Sequence, residues 1–233
     1  MGWYRPVHCK AAPAQEIRAL LVGRKLLLGK LRDLELSIRG LLRGFGLKVG
    51  QVSNGRFQAR IKELATGQPM LEPMLRAREA LSREFHVLHR AMLAIVRTDA
   101  VCRRLMTVPG VGALVAITYT SAVDDPIRFT RSRAVGAHFG LTPKRYQSGE
   151  TDVVGRISKV GDDMVRSILY EAAHTMLTRS SRFSALKRWA MEVAKRRGLK
   201  RATVALARKL SVVLLRIWTS EGVFRFGKEA AAA

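Results

Sequence analysis

Residues 105–123 read LMTVPGVGALVAITYTSAV, and this stretch contains no charged side chain. Its length approaches that of a membrane-spanning helix, which needs about 20 apolar residues. Pro109, Gly110 and Gly112 interrupt its first half, however, and every side chain of 118–121 carries a hydroxyl group. The pattern therefore predicts a tight turn followed by a buried helix, and no membrane span.

The turn itself, VPGVG at 108–112, resembles a helix-hairpin-helix motif. Its glycines allow the backbone to turn sharply and to approach a ligand closely. The amides that open the next helix have no intrahelical partner and carry the positive end of the helix dipole, which suits a phosphate. We therefore expect nucleic-acid contacts from Val108, Gly110, Val111 and Gly112. An ordinary helix–helix turn has the same pattern and stays the alternative.

The charge of the chain explains why phosphate is the expected ligand. It has 42 Lys and Arg against 18 Asp and Glu, a formal net charge of +24. Such a surplus makes a polyanion the expected partner. Apolar residues make up 48% of the chain, which is enough for a core and excludes an intrinsically disordered protein.

The surplus is concentrated near the C-terminus. Between Arg179 and Arg216 there are twelve Lys or Arg and one acid, Glu192. Like charges at this density repel one another unless a polyanion lies among them. Binding to a membrane surface by the basic segment 182–216 is a weaker alternative. The residues expected to bind nucleic acid here are Lys195, Arg196, Arg197, Lys200 and Arg201.

Nothing in the sequence predicts a metal site or a secretion signal. Cys9 and Cys102 are isolated, and His86 and His89, three residues apart, have no acidic cluster beside them. Zinc sites need closely spaced Cys and His ligands. The opening MGWYRPVHCK lacks the apolar core of a signal peptide, so we expect reduced thiols in a cytoplasmic protein.

Residues 13–96 are predicted to form a long helical hairpin. Two apolar seams of coiled-coil spacing, interrupted only at Arg24 and Arg78, flank a Gly-rich loop and a short amphipathic helix at 57–64. The pattern favours an antiparallel, coiled-coil-like pair that projects as an arm for dimerisation or for holding nucleic acid. Ordinary packing of two helices inside a domain is the alternative.

The segment after residue 123 is predicted as helix, loop and helix. Ser132 is the expected N-cap of a short helix that Gly140 ends, and Asp162 or Asp163 is expected to cap the next helix. The residues between them, 141–161, are predicted to be a long functional loop. The whole fold is therefore predicted to be all-α, with short extended pieces at most in this loop.

Three motifs in order reveal a resemblance to a known family. They are VPGVGALVAI at 108–117, AHFGLTPKRYQSGE at 137–150 and GRISKVGDDMVRSILYEAA at 155–173. Together they resemble the C-terminal transposase domain of the DEDD serine transposases. These enzymes belong to bacterial insertion sequences guided by a structured bridge RNA, and they are related to the pilin-gene invertases. The hairpin is similar to that family's coiled-coil region.

The resemblance implies a domain organisation and a chemistry. The transposase domain is expected over 97–227, after the hairpin at 13–96 and before a frayed tail at 228–233. The family's nucleophilic serine, which attacks a DNA phosphodiester and stays bound to the cut strand, matches Ser148. Ser158 is the rival, and a Ser-Gly turn without chemistry is the alternative.

A serine hydroxyl is a weak nucleophile that needs help. A base or a metal-bound group must take its proton, and nearby cations stabilise the charge that develops on the phosphate. The cations expected beside Ser148 are Lys144, Arg145, Arg156, Lys159 and Arg166. In the family, an N-terminal RuvC-like domain supplies four acids that bind magnesium.

The acids of that domain have no counterpart in this chain. Residues 1–12 resemble the end of that domain, and the first acids, Glu16, Asp33 and Glu35, lie on a predicted helix without metal-site spacing. We therefore expect no cofactor in this chain, and magnesium only together with the acidic domain. The expectation is a truncated transposase fragment that binds DNA but does not cut alone.

The sequence thus predicts a DNA-binding recombinase fragment that acts in insertion-sequence transposition. Its expected partners are DNA, a structured guide RNA and further copies of the chain in dimers or tetramers. A non-catalytic nucleic-acid-binding protein that retains the basic helices is the alternative.

Overall fold

The computed structural model describes residues 7–65 and 67–227, which form two compact units. The smaller unit is Ala19–Met92, and the larger unit joins the described residues up to Arg18 with those from Leu93 onward. The first half of the predicted domain remnant at 1–12, namely residues 1–6, lies outside the described residues, as does the predicted tail at 228–233.

Helices dominate both units. No helix in the described ranges has the length and apolarity needed to cross a membrane. Two strands, β1 (Pro143–Ser148) and β2 (Thr151–Ile157), form a small antiparallel sheet. In chain order the helices are α1 (Ala12–Gly44), α2 (Phe57–Leu64), α3 (Leu71–Thr98), α4 (Ala100–Leu105), α5 (Ala113–Val123), α6 (Ala134–His138), α7 (Asp163–Thr178), α8 (Ala185–Arg197) and α9 (Leu199–Thr219).

The prediction of an all-α fold is confirmed except for this sheet, which was predicted as a loop. The polar and glycine-rich composition of 141–161 suggested an irregular segment. Within it, however, Tyr146, Val153 and Val154 are residues that favour strands, and Gly149 begins a two-residue turn between them. The strands are short and exposed, so their alternation gives a weak signal.

In the smaller unit, α1 and α3 contact each other in antiparallel directions. Arg24 on α1 donates to His89 on α3 over 3.2 Å, and Arg78 on α3 donates to Glu35 on α1 over 2.7 Å. These arginines occupy the positions that interrupt the two predicted seams. Where the end of α1 meets the start of α3, α2 joins them in an apolar core. Its residues include Ile38, Leu42, Phe57, Ile61, Leu71 and Leu75. Coiled-coil geometry stays a prediction.

The core of the larger unit is built around α5. Residues 115–123 of this helix are all buried, which confirms the buried helix predicted there. Its hydroxyl groups find partners without water: Thr118 donates to the Leu114 carbonyl over 2.7 Å, and Tyr119 donates to the Ser211 carbonyl on α9 over 2.6 Å. A buried hydroxyl without a partner would be costly, so these bonds let a polar sequence lie in the core.

The start of α1 belongs to the larger unit. Lys10 donates to the Ala122 carbonyl over 2.7 Å, at the end of α5, where helix carbonyls lack intrahelical partners. The Ala11 amide donates to Asp124, and Arg18 forms an ion pair with Asp162. Residues 8–18 are thereby attached to the ends of two core helices.

The caps around the short helix α6 differ from the prediction at one end. Ser132 does not cap α6: the helix starts at Ala134 after Arg133, and no side chain caps it. The Ser132 hydroxyl instead accepts a hydrogen bond from Arg216 over 3.4 Å. Asp162 is the N-cap of α7, as predicted, and accepts from the Val165 amide over 3.1 Å.

The turn at 108–112 is packed against α7. Gly110 has φ +82°, and a Cβ there would lie 2.3 Å from the Ala172 carbonyl oxygen, so only glycine fits. Gly112 precedes α5 with an ordinary φ of −98°, and a Cβ there would meet nothing within 4 Å. The side chains of Val108 and Val111 are buried in the core. Folding alone therefore requires the first glycine.

Replacing Gly110 by alanine is expected to lower the free energy of unfolding by about 3 kcal/mol, because positive φ strains alanine and its methyl group overlaps a carbonyl. The matched control is Gly112→Ala, where the cost is about 1 kcal/mol, since alanine is a poorer N-cap than glycine but its methyl group overlaps nothing. Urea unfolding followed by circular dichroism measures both. Equal losses would show that the contact with α7 does not require the glycine.

Candidate nucleic-acid interface

The hairpin of β1 and β2 carries the candidate nucleophile. Ser148 ends β1 and pairs with Thr151, and Gly149 and Glu150 form the turn between them. Gly149 has φ +55°, the feature that a type II′ turn requires of its first residue. The Ser148 side chain is exposed at this tip.

Alternation along the strands decides which groups share a face with Ser148. Tyr146 lies on the same face of β1, whereas Arg145 lies on the opposite face and binds both carboxylate oxygens of Asp152. This hydrogen bond lowers the pKa of Asp152. Asp152 is therefore ionised and turned away from the Ser148 hydroxyl. The rival Ser158 lies at the other end of the hairpin, where its amide donates to the Thr142 carbonyl over 2.8 Å.

The base of the hairpin is fixed by two close backbone crossings. Gly140 has φ +66°, and a Cβ there would lie 2.2 Å from the Val160 carbonyl oxygen. Gly161 has φ +103°, and its Cβ would lie 2.2 Å from the His138 carbonyl oxygen. Arg166, one of the predicted phosphate contacts, donates to the carbonyls of Phe139 (3.2 Å) and Gly161 (3.1 Å) and so braces this crossing.

A groove of about 1680 Å³ lies between the hairpin, α7, α8 and α9. Half-buried apolar side chains form its floor, among them Leu186, Trp189 and Val193 on α8 and Val204, Val212 and Val213 on α9. Exposed basic side chains form its rim: Arg133, Arg156, Lys159, Arg197, Lys200, Arg201, Arg208, Lys209 and Arg216. Of the described residues that line it, none is Asp or Glu.

Helix α9 separates this groove from the core. Its groove residues recur in pairs at every fourth position, from Lys200 and Arg201 through Arg208 and Lys209 to Arg216. Positions four apart lie on the same side of a helix. The opposite side is buried in the core and includes Ala202, Leu206, Leu210 and Leu214.

Specific contacts hold several of the rim cations in place. The Lys209 ammonium lies 3.5 Å from the centroid of the Trp189 ring, and burial lowers the pKa of Lys209. Arg208 packs its aliphatic stem beside Gly136 of α6, where a Cβ would lie 3.1 Å from the arginine Cγ. Within the described part of the chain, no carboxylate forms an ion pair with any of the nine cations.

The structure brings some of the predicted binding residues together and separates others. Those that line the groove are Arg156, Lys159, Arg197, Lys200 and Arg201. Those outside its lining are Val108, Gly110, Val111, Gly112, Lys144, Arg145, Arg166, Lys195 and Arg196. Lys195 donates to the Glu192 carboxylate and Arg196 to the Glu192 carbonyl, so both turn back along their own helix.

Five groove residues were not predicted from the sequence: Arg133, Trp189, Arg208, Lys209 and Arg216. The repeat of basic pairs eight residues apart on α9 contained the signal for three of them. The approach of the hairpin and α6 to that helix is a tertiary feature, which spacing does not show.

Nowhere in residues 7–65 and 67–227 do three His, Cys, Asp or Glu side chains come together as they would around a metal ion.

Comparison with known proteins shows a similarity to transposases. A model described as the transposase IS116/IS110/IS902 family matches residues 102–188. Over 232 residues the chain is 30% identical to the transposase for insertion sequence element IS1111A of Coxiella burnetii. The aligned residues make up 96% of this chain and 64% of that protein. The chain is therefore similar to transposases of the IS116/IS110/IS902 family.

Two further relatives are also transposases by name. A putative transposase y4pF/y4sB of Sinorhizobium fredii is 30% identical over 221 residues, with 91% of this chain and 57% of the relative aligned. A probable family 20 transposase of Pseudomonas aeruginosa is 27% identical over 233 residues, with 96% and 69% aligned. The chain spans 64% and 57% of the length of the first two relatives.

These similarities support, at the level of an IS116/IS110/IS902-type transposase, the resemblance seen in the three sequence motifs. The IS116/IS110/IS902 match contains the turn at 108–112, the hairpin with Ser148 and α7, and it ends within α8. The groove side of α9 lies beyond it. The serine nucleophile, the bridge RNA and the truncation stay predictions.

Replacing Gly140 by alanine is expected to loosen the base of the hairpin, because the new methyl group overlaps the Val160 carbonyl. The Lys159 amide, which donates to the Gly140 carbonyl over 3.1 Å, should exchange its hydrogen about tenfold faster or more as this crossing opens. The control is Gly149→Asn, since asparagine tolerates positive φ and the turn has open space around it. Hydrogen exchange measured by mass spectrometry reads both variants. An unchanged rate in Gly140→Ala would contradict the role of this crossing.

Proposed function

We propose that this chain binds DNA in insertion-sequence transposition and that the basic groove is its main contact surface. The observation that supports this most is the set of nine exposed cations on one rim, none of them ion-paired to a carboxylate within the described residues. Holding like charges together is unfavourable unless a polyanion neutralises them. The similarity to transposases makes DNA the natural polyanion. The proposal implies a protein of the bacterial cytoplasm, where that DNA lies.

The second part of the proposal concerns strand cleavage. The exposed Ser148 hydroxyl would attack a phosphodiester: its oxygen bonds to phosphorus, the bond from phosphorus to one sugar oxygen breaks, and the cut strand stays on the serine. The hydroxyl proton passes to a base, and the sugar oxygen that leaves takes up a proton. The position of Ser148 at an open hairpin tip, away from the core, supports access by a DNA backbone.

The base and the magnesium site are proposed to come from a RuvC-like acidic domain, as the family resemblance implies. Magnesium held by such acids would stabilise charge on the phosphate. Lys144 lies on the same face of β1 as Ser148, four residues or about 13 Å along the strand, and is proposed to contact a neighbouring phosphate. A structured guide RNA and further copies of the chain complete the proposed assembly, in which the guide would select the target.

The turn at 108–112 is proposed as a secondary contact. Because Val108 and Val111 are buried, only the backbone there is available to a ligand. The amides that open α5, after Gly112, would donate to a phosphate oxygen.

Neutralising the groove is expected to reduce the salt dependence of DNA binding. Lys200→Ala combined with Arg201→Ala removes two rim cations, so the slope of log K against log salt should fall in magnitude by roughly 1.4 to 1.8. The measurement is fluorescence anisotropy with a labelled duplex that carries a single-stranded extension. Lys195→Ala with Arg196→Ala removes the same charge outside the groove and should leave the slope almost unchanged. Equal effects of both pairs, or a flat salt response, would contradict the assignment of the groove.

Cleavage is expected to depend on Ser148 and on the acidic domain. With magnesium and the RuvC-like domain of a relative added in trans, the protein should form a covalent adduct with DNA that survives denaturation in detergent. Ser148→Ala should abolish the adduct, and Ser158→Ala, the matched control at the other end of the hairpin, should retain it. An adduct formed by Ser148→Ala rules out this nucleophile. DNA binding without any adduct would favour the alternative of a non-catalytic nucleic-acid-binding protein.

A further inference from the structure

We infer that the basic groove holds an unpaired strand of nucleic acid, with bases on its apolar floor and phosphates on its basic rim. This inference rests on the proposed function, since it assumes that the groove contacts nucleic acid. It adds the form of the ligand, and it is independent of the role of Ser148, which lies outside the groove lining.

The dimensions of the groove favour a single strand. Its lining on α9 extends from Lys200 to Arg216, a distance of about 24 Å along the helix axis. The volume of about 1680 Å³ over this length gives a mean width of about 8 to 9 Å. The major groove of B-DNA is already about 12 Å wide, so the whole duplex is too wide to enter.

The chemistry of the floor leads to the same conclusion. A duplex presents phosphates and sugars to a protein surface and keeps the faces of its bases stacked inside. An unpaired strand exposes those faces, which stack on aromatic rings and contact apolar side chains. Trp189 supplies an aromatic ring, and the aliphatic side chains of Leu186, Val193 and Val212 surround it along the floor.

The rim supplies cations at intervals that suit a strand. On α9, the pairs at 200–201 and 208–209 and the single Arg216 follow one another at steps of about 12 Å. Arg156 and Lys159 line the groove from the hairpin side. With phosphates about 3.4 Å apart in a stacked strand and farther apart in an extended one, the groove accommodates roughly four to seven nucleotides.

The Trp189 ring has a cation already in place. Lys209 lies over it with its ammonium 3.5 Å from the ring centroid. A phosphate of the bound strand would draw this ammonium toward the rim, where it replaces one contact to the ring by a hydrogen-bonded ion pair. The same movement uncovers the ring face for a base.

The test compares ligands of matched charge in fluorescence anisotropy. Labelled unpaired oligonucleotides of three to twelve residues, in DNA and RNA forms, are set against a blunt duplex of equal phosphate number. We expect the unpaired ligands to bind at least about tenfold more tightly than the duplex, and affinity to level off at roughly four to seven nucleotides. The DNA and RNA arms show whether the strand comes from the transposon DNA or from a guide RNA.

Trp189→Ala is expected to weaken binding of the unpaired strand roughly fivefold to a hundredfold, as the loss of one stacking platform does. Trp218→Ala is the matched control, because Trp218 lies outside the groove lining. Trp189→Tyr should restore most of the affinity. Should the alanine variant misfold, a protein with Trp3 and Trp218 replaced by phenylalanine reports directly, since stacking quenches the fluorescence of Trp189.

Three outcomes would overturn the inference: equal or tighter binding of the blunt duplex, unpaired-strand affinity unaffected by Trp189→Ala, or stronger binding of an acidic helical peptide. Each of them leaves the proposed function intact if the salt slope still depends on Lys200 and Arg201. Absence of any salt-dependent binding of nucleic acid would instead remove the proposed function itself.

Discussion

The packing of α9 against α7 is the interaction on which the candidate interface depends. Tyr119, fully buried, donates to the Ser211 carbonyl over 2.6 Å and joins the central helix to α9 from inside the core. The buried side of α9 is apolar and includes Leu206, Leu210 and Leu214. Burial of this side holds α9 on the core. The burial offsets the repulsion among the cations on the other side of the helix.

The β-hairpin formed by β1 and β2 depends on a different kind of constraint, the close approach of backbone segments at its base. Gly140 and Gly161 cross neighbouring carbonyls at distances that exclude any side chain, and Arg166 bonds across the crossing. Two weak strands need such an anchor, since an isolated two-stranded hairpin is at best marginally stable in water. The groove wall formed by Arg156 and Lys159 is held at a set distance from α9 as a result.

Much of the fold was predictable because its strongest signals are local. The uncharged stretch at 105–123 gave the turn and buried helix, and the acid after Gly161 gave the cap of α7. The hairpin was missed because its residues are exposed, so no buried face imposes a clear alternation. The groove was predicted only in part, because Arg133 and Trp189 meet α9 through tertiary packing that lies beyond the reach of sequence spacing.

Arg24 and Arg78, in the helical pair of the smaller unit, affect how α1 and α3 align with each other. Leucine-rich seams pack almost equally well when one helix slides by a heptad. Arg78, buried to 6% exposure, finds the Glu35 carboxylate and the Phe57 ring at one alignment of the helices, and Arg24 finds His89 at the same alignment. A shifted pairing would bury a guanidinium against aliphatic side chains, at a large cost in desolvation. The two arginines in the seams thus favour one register of α1 against α3. They reduce apolar packing at these positions, but they disfavour every other register.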